Sequence, residues 1–262
     1  MRTAFIAVLG EVRKSLLVSW TYRVNTLATL LTLAFIFLFI AFLMGGGKLN
    51  PEMVTPALVG YLTWSYAAQT ISDVSHGLRG EMQAGTLEQM SMSPVPIGLV
   101  LVGRVLANLL IGTVQAFVLG IALVLLTGAG LPLRWAGLPV LVATLVGVLG
   151  FGFIIAGAVL VFRHVESMFN LLINVLVFLN GTLLPVEAMP IWLAAIARTM
   201  PSTQGIIVLR KILLDGRSLT STWQDRSLIW LLVNSCIYLA VGWIVFASCE
   251  RVAKQRGSLG QY

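Results

Sequence analysis

The stretch 72–96, SDVSHGLRGEMQAGTLEQMSMSPVP, separates two hydrophobic runs and is the longest polar interval in the first half of the chain. Its glycines predict bends rather than one continuous helix. A compact polar segment in an otherwise hydrophobic chain is a candidate for contact with a partner in water. The residues behind this interpretation are the ionisable Asp73, His76, Arg79, Glu81 and Glu88 and the glycines Gly77, Gly80 and Gly85.

The composition of the chain is that of a membrane protein. Of its 262 residues, 58% are hydrophobic and only 10% are charged, whereas a soluble domain has about 25% charged residues. The formal net charge is +7, which we assign to basic residues that flank membrane spans and touch anionic lipid. Nucleic-acid binding is not expected, because no basic patch with interleaved aromatic residues stands in a water-soluble region.

Hydrophobic runs predict an all-α membrane protein with six transmembrane helices, since about 20 apolar residues match a hydrocarbon core about 30 Å thick. In the fourth run, Gly152 and Ala156 form a small-xxx-small pair that predicts a close helix contact. We interpret the whole chain, 1–262, as one transmembrane domain. The predicted spans are about 24–44, 54–71, 97–126, 136–161, 167–184 and 228–248.

Residues 1–23 predict an amphipathic helix that lies in the membrane interface. A cleaved signal peptide is not expected, because the apolar run that follows is too long and no small-residue cleavage site follows it. The apolar residues recur at steps of three and four, the period of one helix face; they are Phe5, Leu9, Val12, Leu16 and Trp20.

The connection between the fifth and sixth spans predicts short external helices. Residues 191–200 and 203–214 each have a helical pattern, entered after Pro190 and Pro201 respectively. This helical pair either re-enters the membrane or lies on its surface. Arg210 in the second helix could attract an anionic group or anchor the helix at the interface.

The distribution of Lys and Arg predicts that both termini are cytoplasmic. With six spans and the termini inside, ten basic residues fall on the inner side and seven on the outer side, and five of those seven lie in the long fifth connection. The short loops and tails therefore follow the positive-inside rule. The stretch 72–96 faces the cytoplasm in this arrangement.

Familiar catalytic and phosphate-binding patterns are absent from the sequence. It contains neither H-E-x-x-H nor G-x-S-x-G, and its histidines, His76 and His164, are isolated, so we expect no metal site. The GGGK at 45–48 departs from the phosphate-loop pattern, and Leu49 follows the lysine. We expect no cofactor in this chain; if ATP drives the protein, a partner chain binds ATP and Mg²⁺.

Three motifs stand out along the chain. The first is GTLEQM at 85–90, followed by Ser93-Pro94 and then Gly103-Arg104. The second is Leu184-Pro185, Met189-Pro190, Met200-Pro201 and Leu209-Arg210, and the third is the basic tail RGSL at 256–259. These motifs resemble the ABC-2 type permeases of ATP-binding cassette exporters. With the amphipathic start and the six spans, the resemblance covers nearly the whole chain. Leucine is frequent in that family where this chain has Met90 and Met92.

This resemblance implies a half-transporter of the inner (plasma) membrane that pairs with a second copy or a close relative and with two ABC ATPase subunits. It would move an amphipathic, lipid-like or glycoconjugate substrate outward. Its first cytoplasmic loop would dock on the ATPase, with apolar anchors between two acidic residues that meet basic residues of the partner. The docking residues so implied are Arg79, Glu81, Gly85, Thr86, Leu87, Glu88 and Met90.

Other polar residues permit two interpretations. Gln115, Asn170 and Asn174 could line a substrate path or only form hydrogen bonds between helices. Arg104, early in the third span, could reach the interface or pair with an acid of the adjoining loop. The external helices are marked by Pro185, Pro190, Pro201 and Arg210.

Two further functions fit the same sequence features. An ATPase-independent secondary transporter or channel would carry its substrate without a partner ATPase. The absence of a convincing ionisable group at mid-depth argues against proton coupling in such a protein. A membrane assembly or sensor protein would transport nothing.

Overall fold

The computed structural model describes residues 2–83, 85, 97–132, 134–162, 166–182 and 186–255, which form helices joined by turns and irregular segments. A 3-10 turn lies at Val186–Ala188. Within the described ranges the α-helices are α1 (Arg2–Thr21), α2 (Arg23–Met44), α3 (Pro51–Gln83), α4 (Ile97–Thr127), α5 (Gly137–Val161), α6 (Glu166–Leu179), α7 (Ile191–Thr199), α8 (Pro201–Leu213), α9 (Leu219–Gln224) and α10 (Ser227–Gln255).

Helix α3 is the centre of the bundle, packed by α2, α4, α5, α6 and α8. In its first half, Leu58 and Tyr61 are buried against α2 and α4, and the Tyr61 hydroxyl donates a 2.8 Å hydrogen bond to the Leu33 carbonyl of α2. Further along, Ile71 is buried in a cluster with α4, α5 and α10. At 1.5 Å per residue α3 is about 50 Å long, so it extends beyond a hydrocarbon core of about 30 Å.

The prediction of bends at Gly77 and Gly80 was wrong, because α3 continues through both residues to Gln83. Glycine costs a helix about 1 kcal/mol relative to alanine, which the packing around α3 offsets. At Gly77 the missing side chain has a packing reason: a Cβ there would lie 2.9 Å from Nη1 of Arg104. The bend predicted at Gly85 is confirmed by its positive φ of 69°.

Helices α5 and α10 pack with their backbones in direct contact. An added Cβ at Gly150 would overlap the backbone of α10, and one at Gly242 would overlap the backbone of Gly150. Two turns further along α5, Gly157 lies against Cys249. At Gly152 the predicted close contact is not seen among the described residues, since none of them lies within 4 Å of a Cβ built there, whereas Ala156, the other member of the pair, is fully buried. Gly150 and Gly157 are seven residues apart, a spacing that keeps them on one face.

Four helices of the described chain are long and apolar enough to cross a membrane: α2, residues 102–127 of α4, α5 and α10. They match the first, third, fourth and sixth predicted spans, so an all-helical membrane protein is confirmed. The second predicted span, 54–71, lies inside α3. The fifth, 167–184, coincides with α6, which has 14 residues and ends at Leu179 before a turn. The total of six spans remains a prediction.

The N-terminal and external helices are both present. Helix α1 packs on α4, and Leu9, Leu16 and Trp20 of its predicted apolar stripe are exposed, which is what a face turned to lipid requires. Its place in the interface remains a prediction. Helices α7 and α8 follow the prolines as predicted, with Pro201 itself the first residue of α8. The short helix α9 was not predicted.

Candidate functional site

The end of α3 is joined to α1 and α4 by three charged side chains, Glu81, Arg104 and Lys14, which we call the basal cluster. Oε1 of Glu81 accepts a hydrogen bond from Nη2 of Arg104 at 2.8 Å and from Nζ of Lys14 at 3.5 Å. Of the two interpretations of Arg104, pairing with an acid is therefore confirmed, although this acid lies in α3 and not in a loop. One carboxylate holds three helices that are far apart in sequence.

The two contacts of the basal cluster differ in exposure. Arg104 is only 8% exposed, and Glu81 is half-buried, whereas the side chain of Lys14 is 57% exposed. Exposed ion pairs contribute at most about 1 kcal/mol, whereas removing one partner of a buried pair costs about 3–5 kcal/mol. The contact between Arg104 and Glu81 is thus the stronger link.

The predicted docking residues lie at or beyond this end of α3. Glu81 was predicted to meet a partner, and in the structure its carboxylate contacts Arg104 and Lys14. Arg79 is half-buried and Gly85 is exposed. The docking role of the set remains a prediction. The remaining members, Thr86, Leu87, Glu88 and Met90, lie outside the described residues.

Asp73 lies on the same face of α3 as the basal cluster, because Asp73, Gly77 and Glu81 are spaced by four residues. It is half-buried just beyond the second predicted span. Burial raises the pKa of Asp73 to about 6, because a charged carboxylate is disfavoured where water is scarce. Sequence reasoning noted Asp73 only as an ionisable loop residue and missed this environment.

At the other end of α3, Arg210 of α8 forms what we call the Arg210 cluster, with Pro56, Gly60 and Thr182. Nε of Arg210 donates to the Pro56 carbonyl at 3.0 Å, and Nη2 donates to the Thr182 carbonyl at 3.1 Å. A Cβ at Gly60 would lie 2.8 Å from Nη2 of Arg210 and 2.9 Å from Cα of Thr182, so glycine is needed there for the contact.

This inward contact of Arg210 was not among the sequence-based interpretations, an external anion site and a membrane anchor, which remain predictions. The guanidinium instead ties α8 and the turn after α6 to α3. Its rigid fork of donors suits two separate carbonyls. The only trace of this contact in the sequence is a glycine at position 60, which leaves room for an arginine. That trace cannot be interpreted until the segments of Gly60 and Arg210 are known to meet.

The external prolines have different outcomes. Pro190 and Pro201 stand at the starts of α7 and α8, while Pro185 lies outside the described residues. The start of α8 is also held by Asn180, whose Oδ1 accepts hydrogen bonds from the hydroxyl groups of Ser202 at 3.0 Å and Thr203 at 3.3 Å. Asn180 therefore stands in a turn beside α8, directly after the last residue of α6.

The predicted substrate-path residues are not gathered into one wide cavity among the described residues. Gln115 lines a narrow crevice with Ser65 and Gln69, and its volume of about 10 Å³ holds about one water molecule. Asn174 is exposed on α6 and does not line this crevice. The side chain of Asn170 lies outside the described residues. A shared path remains a prediction.

The described residues contain no group of three or more His, Cys, Asp or Glu side chains that could hold a metal ion.

A family model described as "ABC-2 type transporter" matches residues 7–214. The matched range runs from α1 to the end of α8 and includes both the basal cluster and the Arg210 cluster. No curated protein matches the chain in sequence.

Proposed function

The chain belongs to the ABC-2 type transporter family, and from this we propose that it is the membrane-spanning permease subunit of an ATP-driven exporter. Two copies of a separate ABC ATPase bind and hydrolyse ATP with Mg²⁺, and a second permease copy completes the transporter. The chain lies in the inner (plasma) membrane with both termini in the cytoplasm. Its substrate moves outward by alternating access.

The observation that carries this proposal is the pair of clusters on α3. Glu81 holds one end of this helix to α1 and α4, and the Arg210 cluster holds the other end to α8. Pro56 and Glu81 are separated by 25 residues, or about 38 Å of helix. A packed helix moves as a rigid body, so a push on the segment that follows Gln83 reaches α8 on the opposite side.

The substrate we propose is amphipathic: a lipid-like molecule or a glycoconjugate. The candidate spans are almost free of charged residues, and such walls suit an apolar body better than a free ion. The polar head group of such a substrate can pass along the exposed ends of the helices, which carry basic residues.

The first test asks whether an ABC ATPase works with this chain. The purified chain is placed in lipid discs, mixed with candidate ABC ATPases, and examined for a stable complex and for ATP hydrolysis. We expect a complex and an ATPase rate that depends on the permease. An ATPase that neither binds nor responds defeats the proposal, and flux in vesicles driven by an ion gradient without ATP supports a secondary transporter instead.

The second test addresses the docking segment with Glu88→Arg. This variant replaces an attractive contact with a basic residue of the ATPase by a repulsive one. The affinity for the ATPase should fall by about tenfold or more, since each 1.4 kcal/mol is a factor of ten. The matched control is Glu52→Arg, an exposed acid in the first turn of α3, which should leave docking unchanged. Both variants should insert normally. Equal affinities for the two variants would count against the docking role.

A further inference from the structure

A groove of about 460 Å³ lies on the side of the bundle between α4 and α5. Both helices pack on α3, which forms the floor, while among the described residues they pack far less on each other. Helix α8 and the loop between α4 and α5 close one end. Ligand pockets in proteins have volumes of about 300–1,000 Å³, so the groove is large enough for a molecule rather than for a few waters.

The interior of the groove is apolar in its chemistry. Among the described lining residues, the three hydroxyl groups, on Thr63, Tyr66 and Thr113, already form hydrogen bonds within the protein. Thr63 donates to the Val59 carbonyl at 2.8 Å, Thr113 donates to the Leu109 carbonyl at 2.7 Å, and the Tyr66 and Thr113 hydroxyls lie 2.6 Å apart. An occupant therefore gains from burying hydrocarbon rather than from polar contacts.

The mouth of the groove has a different character. It carries Arg134 and Trp135, and Trp135 is 87% exposed. The Arg134 guanidinium rests against Gly216, where a Cβ would lie 3.1 Å from Nη2. Among the described residues no carboxylate pairs with Arg134. Tryptophan and arginine are typical of the boundary between lipid tails and headgroups.

The long side of the groove opens toward the bilayer. Phe117 of α4 and Leu138 of α5 form its two lips, and they are 58% and 50% exposed. Both belong to helices that are long and apolar enough to span the membrane. A lipid tail can therefore enter sideways, with no need to pass through water.

We infer that the groove is a binding site for an acyl chain of an anionic lipid of the surrounding bilayer. The tail lies along α3 between α4 and α5, and the phosphate of the headgroup contacts Arg134, the one charged side chain that lines the groove in the described structure. This inference needs only a membrane-embedded chain and does not rest on ATPase coupling, so the two ideas fail independently.

The test counts lipids bound to the purified full-length chain by native mass spectrometry. The protein in detergent is titrated with phosphatidylglycerol or with phosphatidylcholine of the same chains. We expect wild type to prefer phosphatidylglycerol by about fivefold, the factor for one basic residue beside an anionic headgroup. Arg134→Gln should retain binding but lose that preference.

Leu138→Trp tests the tail site by filling the groove from one lip. It should remove the bound lipid whatever its headgroup. The matched control is Leu126→Trp, because Leu126 is 60% exposed on α4 and does not line the groove; this variant should bind lipid as wild type does.

Three outcomes overturn the inference. Wild-type lipid binding in Leu138→Trp excludes the groove as the tail site, and an unchanged headgroup preference in Arg134→Gln excludes Arg134 as the headgroup contact. If Leu138→Trp instead lowers the amount of dimer and leaves the lipid count unchanged, the groove is a contact between two copies of the chain.

Discussion

The contact between α5 and α10 allows a sharp prediction from two glycines on one helix. Gly150→Ala should destabilise the protein, because its new Cβ overlaps the backbone of α10, and backbone cannot move aside as a flexible side chain can. Overpacking of a filled core costs about 1–3 kcal/mol. The intrinsic preference of a helix for alanine returns about 1 kcal/mol, so the net loss is up to about 2 kcal/mol.

Gly152→Ala is the matched control, two residues away on the same helix. A Cβ at Gly152 has no described atom of another helix within 4 Å. This variant should keep the full benefit of about 1 kcal/mol from helix preference. The two alanine variants should therefore differ by about 1–3 kcal/mol, or about 5- to 150-fold in the unfolding equilibrium.

The measurement is reversible unfolding of both variants in lipid discs or mild detergent, followed by circular dichroism. The order of stability should be Gly152→Ala, wild type, Gly150→Ala. If both variants lose the same stability, the backbone contact between α5 and α10 is not where the structure has it. A Gly242→Ala variant gives an independent check from the other helix and should behave like Gly150→Ala.

Three further predictions concern the ends of α3. Arg104→Gln should lower the free energy of unfolding by about 2 kcal/mol. The double variant with Glu81→Gln should lose less than the sum of the two single losses. If the two losses simply add in this double-mutant cycle, Arg104 and Glu81 do not form an ion pair. Arg210→Lys should cost about 1–3 kcal/mol in unfolding free energy, because lysine cannot reach both carbonyls, whereas Lys211→Gln, at the neighbouring exposed ion pair, should cost less than 1 kcal/mol. The pKa of Asp73 is raised to about 6 in the folded protein, so the folded state binds the proton more tightly than the unfolded state, and stability should fall as pH rises from about 4 to above 6. Asp73→Asn should raise the free energy of unfolding by roughly 1–3 kcal/mol at pH 8 and by little at pH 4. An equal gain at both pH values would exclude titration of Asp73 as the cause.

Much of the fold could be predicted from the sequence because hydrophobic length is a strong signal in membrane proteins. The predicted boundaries of the first, third and fourth spans agree with α2, α4 and α5 within about one residue. The helices after Pro190 and Pro201 were also found, since proline at the start of a helix has a local cause.

The errors arose where tertiary contacts override local preference. Gly77 and Gly80 locally favour a break, but α3 is held along its length by other helices and continues to Gln83. Gly152 fits a small-residue motif, but the rotation of α5 turns Gly150 and not Gly152 toward α10. No pattern within one segment contains that rotation.

The candidate site was predictable only in part for the same reason. The sequence identified Arg104 as a residue that needs a partner, because a charge near a span must be satisfied. It did not identify which acid would meet it, nor that Glu81 also meets Lys14 of α1. The inward contact of Arg210 was missed because its acceptors are backbone carbonyls, which no side-chain pattern reveals.

The two clusters on α3 share one construction, and this argues that they act as a pair. At each end an arginine from another helix lies over a glycine of α3: Arg210 over Gly60, and Arg104 over Gly77. The glycines are 17 residues apart, or about 26 Å of helix. Contacts to α8 at one end and to α1 and α4 at the other resist sliding of α3 past these helices. A force on the end that carries Glu81 should therefore tilt α3 rather than slide it.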